Sequence, residues 1–327
     1  MPTTRRRLLQ GLLAATLPRL APAHGTESAA PLIANGWPAH ASLLIMLGAG
    51  HRIAATVNSP STKGWMYRVQ PSLHRALYAP KGGLTAERLL ARGITLAFLN
   101  PGDTSAAALK AAGIRVERVG FQSFAGLREC VLQTAAVLGG SAPLRARSYL
   151  EHFDRELKEI QQWSAPFAEA ARPRVLHVVR WAPQLVIDGQ RTIIDEWIRA
   201  AGGLGAVQDF EGTLRLVDSE YLLRLDPDII IQSAESARHT ARPAGFDALR
   251  AVREQRVYTN PEGVFPWDRY GCEITLQLRW AASVLHPDKM PADDLPQRVQ
   301  DFYRRFYGYP GLTLQDAQRI IAGLPPA

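Results

Sequence analysis

The chain has 327 residues, with 38 Lys and Arg against 30 Asp and Glu, a formal net charge of +8, 46% hydrophobic residues and two cysteines. Arg5, Arg6, Arg7 and Arg19 carry half of that excess within the first 23 residues, and the other basic residues are interleaved with acids, which argues against a nucleic-acid-binding stripe. The length suffices for two compact lobes, and Cys130 and Cys272, each among apolar neighbours, read as buried thiols rather than a disulfide.

The N-terminus carries Thr4-Arg5-Arg6-Arg7-Leu8-Leu9-Gln10, an apolar run from Leu8 to Leu17, and Ala21-Pro22-Ala23. This predicts a signal peptide over 1–23, of the twin-arginine type and cleaved after Ala23, although the arginines also suit the general export route. The run is about half the roughly 20 residues that cross a bilayer, and no later segment is long and apolar enough to do so. No cysteine near the cleavage point is placed to take a lipid, so the mature chain is expected free in the periplasm.

Next in chain order comes a helix over 42–47, closed by Gly48-Ala49-Gly50. A capped helix at Thr85-Ala86-Glu87-Arg88-Leu89-Leu90 feeds a buried strand over 94–99, and a helix over 106–112 leads to a strand over 115–119. The same block recurs 133 residues later: Asp218-Ser219-Glu220-Tyr221-Leu222-Leu223 feeds a strand at 229–231, then a helix over 246–252 and a strand over 256–258. Ahead of it, a strand over 174–179 and a helix over 193–201 ending at Gly202-Gly203 mirror the first half. Between the halves, Tyr149, Phe153, Leu157 and Ile160 recur at helical steps with charges between them, so 143–171 reads as one long amphipathic helix. The expected fold is α/β: two lobes of mainly parallel sheet with flanking helices, 24–142 and 172–327, joined by that linker helix, with a ligand cleft between them.

These features resemble the class III periplasmic substrate-binding proteins of ABC importers, the iron-siderophore, haem and cobalamin type. The resemblance runs from about Pro31 to the C-terminus. It is carried by Leu47-Gly48-Ala49-Gly50-His51-Arg52-Ile53, the two Glu-x-Leu-Leu blocks, Ala201-Gly202-Gly203, Leu225-Asp226-Pro227-Asp228-Ile229-Ile230 and the stretch from Arg256 to Asp268. His51 departs from a common aspartate, and Gly93-Ile94-Thr95 replaces the usual Pro-Asp of the first lobe. The resemblance implies a monomeric receptor that captures a small-molecule metal chelate and delivers it to an ABC permease dimer in the inner membrane. Siderophore-iron is the leading ligand, with haem, corrinoid or another metal complex as alternatives. It also implies that Glu87 and Glu220, one per lobe tip, dock on permease arginines; the bland alternative is that both acids only stabilise helix starts.

Ligand-binding groups are expected on loops at strand ends. In the first lobe these are Trp65, Tyr67, Arg68 and Asn100; in the second, Arg180, Trp181, Trp267, Asp268, Arg269 and Tyr270. Aromatic faces with guanidinium groups suit a large anionic complex, whereas a loop tryptophan also packs over a lobe edge. His51, His74 and His177 lack metal-site spacing, and His177, in the middle of an apolar strand, reads as a core histidine. No cofactor or protein-held metal is expected, with Tyr67 or Tyr78 the remaining oxygen donors for haem iron or a bare metal. Asp268, Glu273 and His286 are imaginable acid–base groups of an exported enzyme, but no nucleophile elbow, phosphate loop or dinucleotide fingerprint accompanies them. Glu273 and His286 read as end residues of a helix over 273–285. An exported sensor or scaffold is the third alternative.

Overall fold

The first lobe is built on five short strands: β1 (Leu32–Asn35), β2 (Ile53–Thr56), β3 (Leu77–Tyr78), β4 (Ile94–Leu99) and β5 (Arg115–Arg118). All pair parallel, in the order β3-β2-β1-β4-β5. Residues 30–80 and 82–327 are described in this computed structural model, so the signal segment 1–23 lies outside the described residues.

The second lobe has β6 (Arg174–Arg180), β7 (Leu185–Ile187), β8 (Leu204–Gly205), β9 (Arg215–Val217), β10 (Ile229–Gln232) and β11 (Val257–Thr259). The order is β11-β10-β6-β7-β9, with β8 also on β6. Here β8, β10 and β11 run parallel within the sheet, and β7 and β9 add antiparallel pairings. The expected mainly parallel character therefore holds throughout the first sheet, and the second is mixed.

The repeated block is visible in the fold. Helices Ala86–Leu90 and Ser219–Leu225 are capped by Thr85 and Asp218, whose side chains accept from the amides of Arg88 and Tyr221. Each helix drops one leucine, Leu89 or Leu222, fully into its lobe and then leads into β4 or β10. The long helix spans Ala142–Ser164, about 34 Å at 1.5 Å per residue. It stops seven residues before the expected 171 because Pro166 has no N–H to continue the helical ladder, and only a short turn, Glu169–Ala171, follows.

Each sheet has one face covered by its own apolar cluster: Ala34, Leu89, Ala97 and Leu109 in the first lobe, Leu176, Ile187, Leu222 and Ile230 in the second. The opposite faces share a single cluster. It runs from Ile33 and Phe98 through Tyr149, Phe153 and Ile160 of the long helix to Trp197, Ile231, Leu278 and Phe306. Pro31–Ala327 is accordingly one compact unit, and the long helix lies packed along the shared core rather than free between the lobes.

Candidate functional site

An open groove of about 920 Å³ follows the C-terminal edge of the first sheet, lined by Trp37, Val57, Leu84, Asn100, Asp103 and Ser105 among others. These residues follow β1, β2, β3 and β4. In an open parallel sheet the loops diverge where the strand order reverses, here at β1 and β4, and the crevice beyond the strand ends is where ligands settle. The loop after β4 is held firmly: Arg118 Nη1 donates to the carbonyls of Asn100, Pro101 and Asp103 at 2.8, 2.9 and 2.9 Å.

At its edge the groove meets the second lobe. Trp37 packs at 5.5 Å from the Tyr270 ring, Phe121 lies edge-on to both, and the Tyr270 hydroxyl donates to Gln122 Oε1 at 2.8 Å. Tyr270 has φ +52°, a left-handed conformation that costs a non-glycine residue energy and persists only when neighbours enforce it. The enforcement comes from the two residues before it.

Asp268 and Arg269 enter a buried polar cluster with His177 and Asp188. His177 Nδ1 bonds Asp188 Oδ2 at 2.8 Å; its Nε2 lies 2.8 Å from Asp268 Oδ2, a charge contact rather than an aligned hydrogen bond. Arg269 reaches Asp188 at 2.7 Å and Asp268 at 3.3 Å. Burial opposes charge on every member, yet the partners outweigh it: His177 is raised by the two carboxylates, and both carboxyls are held below their usual range by Arg269 and His177. Arg269 and His177 thus face the two carboxylates within the cluster. It pins the loop that presents Tyr270. The reading of His177 as a satisfied core histidine agrees with this placement.

Of the residues proposed for the ligand, Asn100 lines the groove and Tyr270 packs against its Trp37 wall. Trp65, Tyr67 and Arg68 are not: 64–69 is a helix, Gly64–Val69, turned toward the C-terminal segment. Trp65 Nε1 donates to the Leu324 carbonyl at 2.9 Å, Arg68 pairs with Asp316 at 3.0 Å, and the Tyr67 hydroxyl donates to the Asn58 carbonyl at 2.9 Å. Trp267 is fully buried with its indole N–H on Glu273, leaving no face for a ligand. Asp268 and Arg269 serve the polar cluster. Trp181 is 2% exposed, donates to Gln232 Oε1 at 2.7 Å and packs edge-on to Phe246. It touches only a shallow second-lobe groove bordered by Pro183, Asp218 and Arg242, and Arg180 stands exposed at the end of β6.

Glu273 and His286 are the end residues of the helix Ile274–Leu285, as expected, but the Glu273 side chain does not cap that helix. Its carboxyl is fully buried and accepts from the amides of Val264 and Phe265, from Trp267 Nε1 and from the Tyr303 hydroxyl. Burial pushes it up to about 7 against the pull of these donors. His286, expected as a cation at the helix end, donates to the Gly202 carbonyl and packs on Phe167 and Trp163, and burial lowers its pKa. Both cysteines are free and buried, with the Cys130 thiol pushed up to about 11 by burial. Glu87 in the first lobe and Glu220 in the second are both exposed on the first turns of their helices, the Glu220 side chain 87% so.

Sequence reasoning missed Trp37, Phe121, Gln122 and Asp188. The one signal for Trp37 was Gly36-Trp37-Pro38, a turn directly after a four-residue apolar run too short to stand out as a strand.

No protein-family model matches the chain, and no curated protein matches it in sequence. Solved structures do match. A periplasmic solute-binding protein from Veillonella parvula DSM 2008 is 20% identical over 89% of this chain and 91% of its own, with a TM-score of 0.72. The molybdate periplasmic binding protein MolA of a Haemophilus influenzae ABC transporter is 17% identical over 85% and 94%, with a TM-score of 0.73. The fold is that of the periplasmic solute-binding proteins. Among these also stands the periplasmic haem-binding protein BhuT in complex with two haems, 23% identical over 78% and 97%, at a TM-score of 0.61. The fold class expected from the sequence, two α/β lobes with helices about each sheet, is the one these proteins share.

Proposed function

We propose that this chain is the substrate-binding protein of an ABC importer, exported by its twin-arginine segment, free in the periplasm as an unanchored monomer, and delivering a metal chelate to a permease dimer. The observation that carries the reading is the groove at the C-terminal edge of the first sheet, whose Trp37 wall meets Tyr270 of the second lobe. A groove with an aromatic wall at Trp37 and a few polar groups such as Asn100, Asp103 and Ser105, bordered by the second lobe where Tyr270 meets Trp37, suits a small ligand. Siderophore-bound iron leads, with haem, corrinoid and other metal complexes next, and the fold's molybdate and haem binders widen the panel.

In this reading the protein contributes orientation and enclosure, not chemistry. The shared apolar core keeps the lobes in nearly fixed register, and the Arg118 and Arg269 contacts hold the loop after β4 and Tyr270, so the groove is largely preformed rather than made by wide closure. Glu87 and Glu220 are the docking carboxylates. The test is thermal unfolding with ferric siderophores, haem, cobalamin and molybdate. A ligand that binds only the folded form adds about 2.7 kcal/mol at a hundredfold excess over Kd, and no shift with any member would refute the chelate reading.

A further inference from the structure

Ten large apolar side chains stand exposed among the described residues. Singly, such residues need no explanation. Only two of them, Leu90 and Leu223, are separated by the 133-residue offset of the internal repeat. They are 47% and 41% exposed and follow Glu87 and Glu220 by three residues on the two matched helices. Residues three apart share a helix face, so each of the two matched helices presents a carboxylate and a leucine side by side. The buried neighbours Leu89 and Leu222 are matched in the same way and have an evident packing role. Of the exposed pair, Leu223 rests one side on Gly245, yet both leucines keep more than two-fifths of their surface open to solvent.

We infer that Leu90 and Leu223, each beside its glutamate, form the apolar half of a two-point docking surface for a partner that carries two equivalent patches, each a basic side chain next to an apolar hollow. The duplication selects the occupant: two like patches on two like lobes complement a two-fold partner, and the carboxylates complement cations. This rests on the receptor reading, in which that partner is the permease dimer. The acid sets approach and register, and the leucine, desolvated on contact, supplies affinity that salt does not screen. Arg224 flanks Glu220 at 3.9 Å and leaves its carboxylate largely open.

The experiment measures saturable binding of fluorescently labelled mature protein to spheroplasts of its own cells, for wild type, Leu90→Gln, Leu223→Gln, their double variant and the Glu87→Lys/Glu220→Lys pair. Melting temperatures of all variants are taken as a folding control. Each leucine substitution is expected to weaken binding about tenfold, and the double by more, with the remaining binding steeply salt-dependent. Leucine variants that bind like wild type while the glutamate pair does not would overturn this inference and leave the receptor reading standing. Wild-type binding that is absent, or unaffected by the glutamate pair, would overturn the docking reading beneath it.

Discussion

Lys63 of the first lobe places its Nζ 2.7 Å from Oε1 of Glu262 in the second. The other oxygen of Glu262 accepts from Arg238 at 3.1 Å, and Lys63 also lies 5.2 Å from the centre of the Phe265 ring. One largely desolvated carboxylate thus serves two cations, one from each lobe. Glu262→Ala strands both, whereas Lys63→Ala leaves Glu262 with Arg238. Urea unfolding is expected to show a loss of about 2–3 kcal/mol for the first and about 1 kcal/mol for the second. Equal losses would contradict this division of roles.

The cluster under Tyr270 predicts a larger effect. Arg269→Met leaves Asp188 and Asp268 with His177 as their only cation in the buried cluster, and removing one partner of a buried charge group costs about 3–5 kcal/mol. The same variant releases the strained Tyr270 backbone and should loosen the Trp37–Tyr270 contact, read as a change in tryptophan emission. A variant with wild-type stability and emission would refute the anchoring role.

Because the core is shared, Phe153→Ala should cost about 3–5 kcal/mol, the range for removing a buried aromatic. Both lobes should still unfold in a single transition. Two separated calorimetric transitions, in wild type or variant, would show the lobes to be independent.

Acid should destabilise the fold. Burial pushes His40 down to about 3 and His152 to about 4. Their unfolded counterparts take up protons near 6.5, so the unfolded state binds more protons as pH falls below that value. Glu273 acts oppositely: pushed up to about 7, it keeps a proton that the unfolded chain releases above 4.5, and so adds stability as pH falls from 7 toward 4.5. His177, raised, contributes fully below 6.5 and loses its contribution only at higher pH. Unfolding free energy is therefore expected to drop from pH 7 to pH 5, and Glu273→Gln to drop further by about 2 kcal/mol. Parallel pH profiles for the two proteins would count against a raised Glu273.

What was legible in the sequence was whatever is local. The Thr85 and Asp218 caps, the leucines behind them and the apolar runs of β4 and β10 lie within about a dozen residues of one another, which is why the repeat could be read directly. The groove was not legible to the same degree. Trp65 and Arg68 look like cleft residues until Leu324 and Asp316, some 250 positions on, are seen to hold them. Glu273 looks like a helix-start acid because the donors that surround it come from 264–267 and from Tyr303. The short strands β1, β7, β8 and β9 carry too few residues for a period to show, and with β1 went the turn that places Trp37.

If the proposed metal-complex receptor is what this chain is, the mature protein leaves its own cells with ligand bound, which native mass spectrometry reads. The expected result is the chain mass plus one chelate, bearing a metal isotope pattern and lost on gentle activation. A bare chain that binds none of the ferric siderophores, haem, cobalamin or molybdate offered to it, or one that converts a chelate to product, would contradict it.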